Sequence, residues 1–169
     1  FIARSDLVLL GTYLTLWGFN TALEQGVATT AATAAGSGLF AKASGAALAW
    51  LGVVGLLIDR LNRVTAVMLC MGIAALGYLG TMLVDDPLST AALTLIILLG
   101  MGQISAFAGA HTLIAKEAVD ATRRSVIGMF NAFGAVGILV STFVGGILFD
   151  RVGPHAPFVF VGVLTLGLI

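Results

Sequence analysis

The sequence predicts an all-α membrane domain of six transmembrane helices built as a 3+3 inverted repeat. Three observations carry this. First, 59% of the 169 residues are hydrophobic and 9% are charged, where soluble domains carry about 25% charged residues; with a mean hydropathy of +1.10, the chain cannot cover a water-facing surface. Second, the few charges punctuate six apolar stretches. Third, the string GLLIDR at 55–60 returns as GILFDR at 146–151, each time a glycine, three residues, then Asp-Arg at the edge of an apolar run.

Lipid offers the backbone no hydrogen-bond partner, so spanning segments are helices or a closed barrel. The strict apolar–polar alternation of a barrel is absent. A helix crosses a hydrocarbon core of ~30 Å with about 20 residues, and the stretches at about 1–24, 36–58, 64–84, 88–115, 125–149 and 156–169 meet or approach that length. They are read as one six-helix domain over 1–169. Gly36-Ser37-Gly38 is expected in a small-residue connection ahead of the second helix. The stretch 55–63 closes the second helix and turns into the third. Asp85-Asp86-Pro87 ends the third, because proline stops a preceding helix and suits a new first turn. Gly153-Pro154 and Pro157 break the chain before the sixth. Phe1 and Ile169 both lie in apolar sequence, so a fragment of a longer chain is expected, its sixth helix truncated.

The composition also limits function. Formal net charge is zero, so there is no basic field for nucleic acid. Cys70 is the one cysteine; it forms no internal disulfide, and no Cys/His cluster offers a metal site. No cofactor is expected. The partners expected are the lipid bilayer, a small-molecule substrate and another six-helix half of the same polypeptide.

Lys and Arg in short loops set orientation. Arg4, Arg60, Arg63, Lys116, Arg123 and Arg124 fall on one side, and Arg151 falls on the other with Asp85 and Asp86. The six-residue side is expected to be cytoplasmic, in a bacterial-type cytoplasmic membrane, with the 59–63 and 116–124 loops inside. GLLIDR then closes the second helix on the inner face and GILFDR the fifth on the outer face. Helix two matching helix five in opposite orientation is what a 3+3 inverted repeat requires.

On these residues the chain resembles one six-helix half of a major facilitator superfamily transporter. Gly55, Asp59, Arg60 and Arg63 match that family's loop motif, Gly-x3-Asp-Arg-x-Gly-Arg-Arg/Lys, between helices two and three of a half; Asn62 stands in place of the glycine and Val64 in place of the last basic residue. These departures, with the closing sequence FNAFGAVGILV to GGILFDRVGPHAPF, resemble the C-terminal half. The resemblance implies secondary active transport of a small solute by alternating access, with proton-coupled efflux as one form. It also implies a gating role for the loop motif: the matching aspartate faces a helix N-terminus of the other half and helps hold the inner side shut. The alternative for Asp59 is a loop carboxylate paired with Arg60 or Arg63.

Several other residues are candidates for ion coupling or substrate contact. Arg4 and Asp6 open the first helix, either as interfacial charges or as a buried carboxylate with a nearby arginine tuning it. Gln103 is placed at mid-membrane, where a polar group must find a partner or line a wet cavity; Asn131 and Asn20 read the same way. Lys42 is expected near the outer end of the second helix as a snorkelling lysine, with Glu24 as a possible partner. His111 and His155 read as an interfacial and a turn residue, and Trp17 and Trp50 as packing or interface anchors. Small residues at four-residue spacing, Gly137, Ser141 and Gly145 on helix five and Gly102, Ala106 and Ala110 on helix four, read as close helix packing. Two other functions compete with transport. A non-transporting scaffold or receptor could keep the same fold. An intramembrane serine enzyme would need Ser37 beside His111 or His155, which the expected helix positions keep apart.

Overall fold

The computed structural model describes residues 7–117 and 123–167, apart from the side chains of 63, 113, 115–117 and 123. Among them are six helical segments and no strands. Helix α1 covers residues 7–24, with a π-helical stretch at Leu10–Leu14 leading into Thr15–Glu24. It is followed by α2 (Thr29–Arg60), α3 (Arg63–Gly80, continued by a 3-10 turn at Thr81–Leu83), α4 (Thr90–Glu117), α5 (Arg123–Arg151) and α6 (Ala156–Leu166). Four stretches are long and apolar enough to cross a membrane: Thr29–Arg60, Val64–Leu83, Thr90–Thr112 and Arg124–Arg151. The described parts of α1 and α6 are shorter.

Helix α2 corrects the expected boundaries. It begins at Thr29, and Gly36, Ser37 and Gly38 lie inside it rather than in a connection. The physical reason is packing. Gly36 presses against the backbone of Thr15 and Phe19 on α1, where a Cβ would lie 3.0 Å from the Phe19 nitrogen. A glycine that reads as a breaker in isolation is thus the residue that lets α1 and α2 touch. The Ser37 hydroxyl donates to the Thr33 carbonyl one turn back.

The connections are short and locally closed. Gly26, at φ 79°, makes the turn between α1 and α2, a backbone region that L side chains rarely adopt. Before α4, the Asp86 carboxylate accepts from the Leu88 N–H at 2.8 Å and the Ser89 Oγ from the Ala92 N–H at 3.2 Å. These bonds satisfy donors that a helix start leaves open.

Contacts between helices fix their directions. Gly18 and Gly36 are neighbours across α1 and α2, and Ala74 meets Gly102 while Gly77 meets Leu98, so both α1–α2 and α3–α4 run antiparallel. Helices α2 and α4 run parallel: Ala43 meets Gly100, and further along the Trp50 Nε1 donates to the Ser105 hydroxyl at 3.0 Å. Helix α6 packs on α3, where Gly162 lies under Tyr78 and Leu79. The buried core runs through α1, α2, α3, α4 and α6 and includes Leu10, Leu14, Trp17, Leu39, Tyr78, Leu99 and Phe158. Helix α5 keeps large apolar side chains outside, with Leu139 and Phe143 each 72% exposed. A water-soluble domain rarely leaves such an apolar face uncovered. Asp59, at the end of α2, and Asp150, at the end of α5, consequently sit at opposite ends of the bundle.

Candidate functional site

Among the recesses between the helices, one lies midway along the bundle and one at the Asp85 end. The midway cavity holds about 450 Å³ and is bounded by α1 (Leu7, Val8), α2 (Ser44, Ala47, Leu48), α4 (Gln103, Ile104, Phe107) and α5 (Ile138). Its wall is almost wholly apolar. Gln103 is the polar exception on α4: it is 6% exposed, and its Nε2 has no hydrogen-bond partner among the described residues. An unpaired buried donor costs about 1–3 kcal/mol, and such a group in a native structure calls for an explanation. Gln103 lies near the middle of the 28-residue α4. Gln103 is thus among the residues that line the cavity, and among the described residues no interhelical bond satisfies its amide NH₂.

The second recess, of about 460 Å³, lies at the Asp85 end and is lined by Trp17, Asn20, Thr21, Glu24, Asp85, Phe149, Asp150 and Pro154. Asn20 belongs here, one turn from the end of α1, and not at the mid-membrane depth expected for it. Sequence reasoning missed this grouping of Asn20 with Glu24, Asp85 and Asp150. The four come from α1, the α3–α4 turn and α5, and nothing in their spacing joins them. Beside the recess the Gln25 side chain donates to Asp86 at 3.2 Å, which links the two turns at this end. No group of three or more His, Cys, Asp or Glu placed to hold a metal ion occurs among the described residues.

The remaining candidates scatter. Asn131 on α5 is exposed and does not border the Gln103 cavity. His111 stacks between Phe107 and Phe130, with ring centroids 4.3 and 5.0 Å away, so it serves α4–α5 packing. Trp17 packs on Phe158 at 6.1 Å and His155 at 6.3 Å. Ser141 and Gly145 are buried on α5, and Gly145 lies under Tyr13 and Leu9 of α1. Gly55, Asp59 and Arg60 form the last turns of α2; the two charged residues are exposed, and a Cβ on Gly55 would meet nothing within 4 Å. Arg4 and Asp6 lie outside the described residues.

Lys42 departs from its expected place. Because α2 starts at Thr29, Lys42 lies near the middle of a 32-residue helix, about 20 Å from its first residue at 1.5 Å per residue. It is not at the helix end.

A family model described as Major Facilitator Superfamily matches residues 6–169. The chain is 37% identical over 174 residues to "Magnetosome protein MamH" of Paramagnetospirillum magneticum, a match that covers 97% of this chain and 38% of the relative. It is 26% identical over 162 residues to "Magnetosome protein MamZ" of the same organism and 25% identical to MamZ of Magnetospirillum gryphiswaldense, each match covering 96% of this chain and 25% of the relative. The chain thus spans less than two fifths of the length of these relatives. No solved structure matches it.

Proposed function

Because the chain belongs to the major facilitator superfamily, whose members are transporters and not enzymes, we propose that it forms one six-helix half of a secondary transporter that moves a small solute by alternating access. The observation that carries this reading is Gln103, a buried amide with no partner among the described residues, in the wall of an apolar cavity between four helices. An apolar pocket with few, well-placed polar groups is the common form of a small-molecule site. The substrate supported by this lining is largely apolar, with one hydrogen-bond acceptor for the Gln103 amide.

The architecture in this proposal is a 3+3 inverted repeat, α1–α3 matching α4–α6. Its support is the Gly-x3-Asp-Arg echo, whose two aspartates end α2 and α5 at opposite ends of the bundle. The chain is assigned to the C-terminal half, with the Asp59 end cytoplasmic and Gly55, Asp59, Arg60 and Arg63 as the gating motif. Asp6, with Arg4 close in sequence, is assigned to proton coupling. The relatives are magnetosome proteins, which supports a magnetosome as the compartment served.

The test is reconstitution of the full-length protein in sealed vesicles, with a panel of labelled small solutes and an imposed pH gradient. The account expects accumulation of a solute that Gln103→Leu abolishes without lowering thermal stability. Accumulation unchanged by Gln103→Leu would remove the cavity from the transport path.

A further inference from the structure

Lys42 poses a problem that its surroundings help to solve. It projects from the middle of α2, and the level of the bundle there is set by the adjacent residue: Ala43 abuts Gly100, where a Cβ would fall 2.7 Å from the Ala43 carbonyl carbon. Gly100 lies midway along the apolar stretch Thr90–Thr112. Lys42 is therefore near the centre of the membrane-spanning layer, and a lysine there costs about 2.5–3.5 kcal/mol even on insertion scales. From mid-layer, about half of a ~30 Å hydrocarbon core separates it from either interface, farther than its side chain reaches by snorkelling. Among the described residues it has no ion pair or hydrogen bond.

The surface around it has a distinct form. Lys42 stands at the edge of a groove of about 540 Å³ between α2 and α4, whose floor is Gly45, Ala46 and Ala49 and whose wall is Leu93, Ile97 and Met101. Along α2 the row Gly38, Lys42, Gly45, Ala49, Gly52 steps by four, three, four and three residues, the spacing of a helix–helix seam. A Cβ on Gly38, Gly45 or Gly52 would meet nothing within 4 Å, so this row is unoccupied by other described residues. A face that met lipid would gain nothing from being stripped of side chains, whereas a helix approaching closely would.

We propose that the α2–α4 groove seats a membrane-spanning helix from the remainder of this polypeptide, and that this helix carries an Asp or Glu at the depth of Lys42. The small row lets the incoming backbone come close, the Leu93–Ile97–Met101 wall packs its flank, and the carboxylate pairs with the ammonium group. Lys42 is exposed among the described residues, and a charge at that depth of the membrane calls for a paired opposite charge, which makes the occupant acidic at one position and apolar elsewhere. The length of the relatives beyond the matched region leaves ample chain to supply it. The proposal rests on the chain being part of a larger transporter, but its readout is assembly and not transport.

The experiment uses the full-length protein in lipid nanodiscs, with thermal unfolding followed for Lys42→Leu, Lys42→Arg and Gly45→Leu. The expected result is a Tm lowered by several degrees for Lys42→Leu and Gly45→Leu and near normal for Lys42→Arg, whether or not the protein transports. In a second arm, Gly45→Cys in a background otherwise free of cysteine is oxidised against cysteines placed near each intramembrane Asp or Glu of the remaining sequence; an intramolecular disulfide is expected with one of them. Tm unchanged or raised by Lys42→Leu and Gly45→Leu would show a lipid-facing row. Unchanged Tm with lost transport in Lys42→Leu would make the lysine a solute ligand, and disulfides forming only between copies would make the occupant a second molecule. Each of those results overturns the proposal.

Discussion

The Tyr13 hydroxyl donates a 2.6 Å hydrogen bond to the Thr142 carbonyl oxygen, fastening α1 to α5 across 129 positions of sequence. The ring of Tyr13 also stacks on Phe149 at 5.6 Å, and Gly145 leaves room for it, since a Cβ there would lie 2.8 Å from the Tyr13 Cε2. A carbonyl has two lone pairs, so Thr142 accepts this bond without giving up its place in the helix. The pair matters because α5 is the helix least covered by the others, and the Gln103 cavity opens between α1 and α5.

Tyr13→Phe is expected to loosen α5 with little change elsewhere. Interhelical hydrogen bonds in membranes contribute about 0.6 kcal/mol on average and up to about 1.7, so a small fall in Tm is expected. Gly145→Ala should cost more, because the ring and helix cannot both stay in place. Thermal unfolding of the two variants in detergent tests the order; equal stabilities would mean that the hydroxyl and not the close approach carries the contact.

Gly100→Ala should destabilise strongly. The added methyl would meet the Ala43 backbone, which cannot rotate away as a side chain can, and overpacking of this kind costs about 1–3 kcal/mol. Gly72→Ala, where a Cβ meets nothing within 4 Å, serves as the control and should leave Tm unchanged or slightly raised by its better helix propensity.

These contacts show what the sequence could and could not reveal. The four long spans and the Asp-Arg steps were legible because lipid forces apolar length and charge punctuation onto the sequence itself. The start of α2 was not. The run TTAATAAGSG holds no charge and little bulk, and only the close approach to α1 shows why its glycines belong in a helix. The same extension of α2 moves Lys42 from an expected helix end to the middle of the span. Gln103 was legible as a polar residue in an apolar run, but its missing partner is a property of the fold. Asn131 read like Gln103 in sequence, yet it is exposed, because a polar residue within an apolar run can point to either side of its helix.

Asp59→Asn in the full-length protein tests the gate. Asp59 ends α2, where a negative charge opposes the helix dipole by about 0.3–1 kcal/mol, and it is exposed and has no ion pair among the described residues. If a contact in the other half stabilises the state closed at this end, the variant should shift toward the form open here, since a charge contact made in one state biases the equilibrium toward it. Thiol accessibility of cysteines at the Asp59 end should rise; unchanged accessibility would take Asp59 out of the gate.

Sidedness is checked by cysteine labelling in intact cells. Asn62→Cys is expected to react only from the cytoplasmic side, and Thr30→Cys and Asp86→Cys only from the opposite side, following the six-to-one bias of loop Lys and Arg. Labelling of Asn62→Cys from outside would reverse the orientation.

The central claim is that the Gln103 cavity is alternately open to the two sides of the membrane. It is tested most directly by Gln103→Cys in the full-length protein carrying Cys70→Ala and otherwise free of cysteine, reacted in sealed vesicles with a membrane-impermeant thiol reagent added to one side at a time. The account predicts labelling from both sides, with a substrate that binds the cavity slowing both reactions. Labelling from neither side, or from one side alone under every condition, would contradict it.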